Sequence, residues 1–182
     1  MKLHASIGAL AVALAGCMNL AASAAPPPAS DSIYAQLSSS VSQIPTSGKP
    51  LVVSMESNDG LSGIDHNAKD KPGDIKVKTA GAYFVMAAVQ AGKESGNANE
   101  YVDLWLKQNG KDVANSGCRQ AIILPRYTGV LVSQAILECK EGDVVNVAIS
   151  ASSGGKGVGI QAVKPKGEPA VPSIIFSMYK IR

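Results

Sequence analysis

The chain has only two histidines, His4 and His66, and three cysteines, Cys17, Cys118 and Cys139. That count excludes a multi-histidine metal site. A nucleophile–histidine–carboxylate triad would have to rest on His66, because His4 falls in a segment that reads as a removable leader. The densest polar stretch, Glu56 to Asp74, carries Asp59, Asp65, His66, Asp70 and Asp74. It lacks the D-x-[DN]-x-[DN]-G spacing and distal glutamate of an EF-hand, so it reads first as a solvated loop between strands and second as a weak calcium site. Paired carboxylates for glycoside hydrolysis would need a cleft lined with aromatics, and the whole chain has one Trp, five Tyr and two Phe. Ser153-Gly154-Gly155-Lys156-Gly157 lacks the G-x-x-x-x-G-K-[ST] spacing of a phosphate loop and reads as a hairpin tip. Tyr101 and Trp105, separated on one strand face only by Asp103, offer either a stacking platform for a sugar or an aromatic pair packed across strands. No catalytic residue, metal or cofactor is expected.

The cysteines divide by position. Lys2 followed by the apolar run Ile7 to Gly16 has the form of an export signal, and the run is too short to span a bilayer. It leads into Leu14-Ala15-Gly16-Cys17, which resembles the lipobox of bacterial lipoproteins, in which the cysteine thiol receives lipid. A second reading is cleavage after Ala22-Ser23-Ala24, which releases a soluble periplasmic or extracellular protein. In the lipobox reading Met18, which is not aspartate, directs the protein to the outer membrane of a Gram-negative cell. Assigning Cys17 to lipid leaves Cys118 and Cys139 as an even pair outside the cytoplasm. A disulfide is the expectation for that pair, and two buried thiols are the alternative.

The remaining composition narrows the partners. Lys and Arg number 17 against 14 Asp and Glu, a net charge of +3 that is too small and too dispersed for a nucleic-acid footprint. Residues 17–45 read as a tether: Asn19 to Ser30 is rich in Ala, Ser and Pro, and Tyr34, Leu37, Val41 and Ile44 recur at spacings of three, four and three. That spacing predicts one short helix or stalk, or a loosely packed segment in its place.

From Pro45 onward the period changes to two. Strands are predicted at Leu51–Met55, Ile75–Lys78, Ala82–Gln90, Tyr101–Gln108, Cys118–Leu124, Val130–Cys139, Val144–Ser150, Val158–Val163 and Ser173–Ile181. An all-β, two-sheet sandwich over residues 46–182 is the expected fold, with no strand–helix alternation that could build a nucleotide-binding sheet. Tyr101–Gln108 alternates cleanly, so one face of its sheet meets water. Ala82–Val89 is apolar on both faces, as is the last strand, so Phe84, Met86, Ile175 and Tyr179 are expected at an interface between copies. Cys118 and Cys139 share parity with inward residues.

Four ordered marks over residues 46–182 resemble the C1q and tumour-necrosis-factor-like jelly-roll family. They are Gly81-Ala82-Tyr83-Phe84-Val85, similar to its G-x-Y-x-F strand; the Asn109-Gly110 turn; Lys140-Glu141-Gly142-Asp143 before Val144 and Val145; and Ser173-Ile174-Ile175-Phe176-Ser177 as a closing strand. Val85 stands where the family has phenylalanine, Ser177 or Met178 where it has glycine, and no collagen-like stretch precedes the domain. The resemblance implies a jelly roll that assembles as a homotrimer, recognises a protein or glycan and catalyses nothing. Two other readings stand beside it: a β-sandwich carbohydrate-binding module, and a structural protein of the cell envelope.

Overall fold

The computed structural model describes residues 32–46, 49–152 and 156–182. The leader, the lipobox with Cys17, most of the tether and residues 153–155 of the 153–157 tip lie outside the described residues. The described residues form β1 (Tyr34–Ser39), β2 (Leu51–Val52), β3 (Ser57–Ser62), β4 (Ile64–Asn67), β5 (Lys71–Val77), β6 (Gly81–Gly92), β7 (Glu100–Gln108), β8 (Lys111–Asp112), β9 (Cys118–Ile122), β10 (Thr128–Cys139), β11 (Val144–Ala151), β12 (Gly159–Ile160) and β13 (Ile174–Lys180), with no helix among them.

Two antiparallel sheets stack as a jelly-roll sandwich. The first runs β10-β6-β13-β1-β3, with β12 pairing the far end of β6. The second runs β4-β5-β11-β7-β8; β2 pairs another stretch of β11, and β9 another stretch of β7. The chain crosses repeatedly between the sheets, so strands distant in sequence become neighbours, as β1 and β13 do.

Alternation puts Leu37, Tyr83, Val85, Phe176 and Met178 of the first sheet against Ile75, Leu104, Leu106, Val147 and Ile149 of the second, all buried. Each such side chain stabilises the fold by about 1.5–3 kcal/mol through removal from water. The Asn109-Gly110 turn has φ of 52° and 76°, the doubly left-handed conformation that matches the twist of the flanking strands.

Leu51–Met55 and Val158–Val163 shorten to the two-residue strands β2 and β12, and two segments depart in kind from the sequence expectation. Residues 34–39, expected within a tether able to hold a helix, form β1, which lies between β13 and β3. The domain therefore starts by Ile33 and not at residue 46. Ala35, Leu37 and Ser39 point inward. Small Ala and Ser weaken the apolar alternation, and the two flanking strands supply the backbone bonds that a serine-rich helix would have to make alone. Glu56 to Asp74, expected as a loop, contains β3, β4 and the start of β5. β3 and β4 are the edge strands of their two sheets, where both faces tolerate polar residues.

Candidate functional site

The outer face of the first sheet presents the residues expected at an interface. Strand register lines them into rows: Ile136, Phe84, Tyr179 and Tyr34 in one, Gln134, Met86, Ser177 and Gln36 in the next, then Val132, Ala88, Ile175 and Ser38. Ile136 is 65% exposed, Tyr179 49% and Ile175 39%, high values for large apolar side chains. The rings of Phe84 and Tyr179 lie 5.3 Å apart at a tilt of 37°. These three rows contain no charged residue. Glu138, at the end of β10, is paired with Arg182 at 2.6 Å.

The second surface is the outer face of the opposite sheet, around Trp105. Tyr101, Asp103, Trp105 and Lys107 project there from β7, as the alternation predicts. Arg119, paired in register with Asp103, grips its carboxylate with Nε at 2.6 Å and Nη2 at 2.9 Å. The same guanidinium lies 3.8 Å above the centroid of the Tyr101 ring, so one face of that ring is covered. A platform of both aromatics is thereby reduced to Trp105. The Trp105 indole donates to Asp112 Oδ1 at 2.8 Å, and Lys107 Nζ donates to the same oxygen at 2.5 Å. Lys107 first and Trp105 second hold the Asp112 carboxyl below the ordinary carboxylate range. Beside Trp105 opens a shallow depression of about 590 Å³, whose polar walls are Asp103, Asp112, Arg119 and Ser150. Asp112 and Arg119 gave no signal in the sequence, since each acts only through a partner on another strand.

The expected Cys118–Cys139 disulfide is absent; both cysteines are free. Both face inward, but they lie at different heights. Cys118 Sγ sits 3.3 Å from the carbonyl oxygen of Val132 on β10, whereas Cys139 ends that strand. The seven residues from Val132 to Cys139 span about 23 Å at the usual strand rise, against the roughly 4–7 Å between α-carbons that a disulfide allows. Burial, then the nearby Asp143 and Glu138 charges, push the Cys139 thiol up to about 11. Burial, then Asp103, raises that of Cys118.

The motif residues serve the fold. Gly81 packs where a β-carbon would stand 2.2 Å from the Arg182 carbonyl oxygen. Tyr83 is buried and donates its hydroxyl to the Thr79 carbonyl at 2.7 Å, and Val85 and Phe176 are fully buried. Gly142, at φ 89°, and Asp143 close the turn before β11. The acidic stretch scatters over separate partners: Asp59 takes Ser57, Asp65 takes Lys78, Asp70 takes Asn67 and Asp74 takes Asn146. His66 Nδ1 lies 2.6 Å from Asn58 Oδ1 and its Nε2 3.1 Å from the Pro72 carbonyl oxygen, so both ring nitrogens are engaged in tying β4 to β3 and β5.

No protein-family profile matches the chain, and no curated protein is found to resemble it at a significant level.

Proposed function

We propose that the protein is an exported, non-enzymatic recognition domain that assembles as a homotrimer and is displayed at the cell envelope through lipid on Cys17. The observation that carries this reading is the outer face of the first sheet, whose three rows are free of charge and whose two outer rows carry the large apolar side chains of Ile136, Phe84, Tyr179, Val132 and Ile175. A face without charges meets a second copy of itself without like-charge repulsion, and removing large apolar side chains from water drives the association. The resemblance to C1q and tumour-necrosis-factor-like jelly rolls, carried by Gly81, Tyr83, Gly142, Asp143 and Phe176, supplies the threefold arrangement. The absence of catalysis is supported by His66, whose two nitrogens are committed to structural contacts. Lipid on Cys17 would add about 0.8 kcal/mol per buried CH₂, enough with two or three chains for lasting attachment.

Sedimentation of the wild-type protein and of Phe84→Asp tests the reading. The wild type should sediment as a trimer at micromolar concentration. The variant should be a folded monomer, because an unpaired charge buried at the interface costs several kcal/mol. A wild type that is monomeric under these conditions overturns the assembly.

A further inference from the structure

We propose that the depression beside Trp105 binds a neutral saccharide. This rests on reading the domain as a recognition module, though not on its state of assembly. The site originates in an interruption of the sheet edge. On that side of β7, β9 pairs only as far as Leu104 and β8 begins at Lys107. Between them residues 113–117 arch away from the sheet, with Asn115 at φ 60°. The arch is held because the Val113 amide donates to the Leu106 carbonyl at 2.9 Å and the Leu106 amide donates to Ser116 Oγ at 3.0 Å. A fixed notch is left on the open face, with Trp105 as its apolar wall.

Three properties select the ligand class. The volume, about 590 Å³, lies within the range of small-molecule sites of roughly 300–1,000 Å³. The charges cancel in place: Arg119 neutralises Asp103 and Lys107 neutralises Asp112, so neither a phosphate nor an amine finds an uncompensated countercharge. What remains is a set of pre-positioned hydrogen-bonding groups beside an indole. Trp105 and Lys107 both donate to Asp112 Oδ1, and no described residue donates to Oδ2, which leaves that oxygen for a ligand hydroxyl. The Ser150 hydroxyl, which donates to Asp103 Oδ2 at 3.5 Å, adds its lone pairs as an acceptor. Hydroxyls around a ring whose C–H face can lie on an indole are the features of a pyranose, and they are not those of a purely apolar ligand, which would leave Asp112 Oδ2 without a donor. The notch opens on the side of the sandwich opposite the face proposed for assembly, so trimer formation does not close it.

Trp105 is the only tryptophan of the chain, so its fluorescence reports on this site alone. The probes are the methyl pyranosides of glucose, galactose, mannose, fucose and N-acetylglucosamine, titrated to about 50 mM, a ceiling that includes weak millimolar binding. At least one should shift the emission saturably, and glucuronate and sialic acid should bind at least tenfold more weakly. Saturation-transfer NMR with the responding sugar should lose its signal in Trp105→Ala and weaken at least fivefold in Asp112→Ala, both with unchanged sedimentation. Phe84→Asp should keep the full response per protomer. Absence of a saturable response to every neutral pyranoside overturns this inference and leaves the assembly reading standing. A response retained in Trp105→Ala overturns it as well. A monomeric wild type that still binds the sugar overturns only the assembly.

Discussion

Asp143 links two turns that are far apart in sequence, and its removal tests whether a partly solvated carboxylate can hold one end of the sandwich. Its Oδ2 accepts the Lys140 amide and the Gln108 side chain, each at 2.9 Å, and its Oδ1 accepts the Asn109 side chain at 2.8 Å. These donors, the Lys140 amide foremost, hold the carboxyl below its ordinary range. Hydrogen bonds to a charged group contribute about 1.5–3 kcal/mol each, but here the donors lie near water and regain it when released, so about 0.7 kcal/mol apiece is the appropriate figure. Asp143→Ala should therefore cost about 2 kcal/mol at neutral pH, or about 4–8 °C in Tm for a domain of this size. Because the folded carboxyl is depressed, its stabilisation is fully present above the unfolded carboxylate range and is lost as pH falls through the folded value. Urea unfolding followed by circular dichroism should show the gap between wild type and Asp143→Ala shrinking from pH 7 to below about pH 3. Asp143→Asn should fall between the two at neutral pH. A gap equally wide at both pH values would refute the claim that the ionised carboxylate is the linking group.

Three further outcomes follow from the packing. Mass spectrometry after alkylation should find Cys118 and Cys139 both free, and Cys139 should react with iodoacetamide at pH 8 only on unfolding, because its thiol is pushed up to about 11. A disulfide-linked peptide would overturn the strand register of β10. Leu37→Ala should destabilise by about 2–5 kcal/mol in denaturant unfolding, as for any fully buried leucine, whereas a leucine in a tether would give no change. Gly81→Ala should lower Tm measurably, since its methyl group would meet the Arg182 carbonyl oxygen; an unchanged Tm would show that the C-terminal residues move aside without cost.

The sandwich was legible because its central strands are long, either alternating as in β7 or continuously apolar as in β6. Val102, Leu104 and Leu106 announce the buried face of β7, and Phe84 and Met86 announce a second apolar face on β6. The margins were not legible for the same physical reason. β3 and β4 have little to bury, so Ser57–Ser62 and Ile64–Asn67 carry no apolar period and read as loop. β1 misled more actively: Tyr34, Leu37, Val41 and Ile44 mimic a helical stripe, yet only Leu37 among the three residues β1 turns inward has a large side chain. For the cysteines, parity correctly assigned the face but holds no information about height along a strand, and height is what separates Cys118 from Cys139. At the depression, Trp105 could be placed on its face from the sequence. Its neighbours Asp112 and Arg119 could not, because their positions depend on where β8 and β9 stop.

The way the chain reaches the sandwich bears on how the domain carries load. Ile33, whose carbonyl accepts the Lys180 amide, leads directly into β1, and β1 runs between β13 and β3. Drag on a domain tethered by its N-terminal side reaches β1 before any other strand and acts along its axis. The bonds of an antiparallel ladder stand perpendicular to the strands, so such a pull strains both ladders in shear, all bonds together, and cannot open them one at a time from an end. The strand that helical spacing concealed is thus the one that would bear tension between an anchored tether and whatever the domain holds.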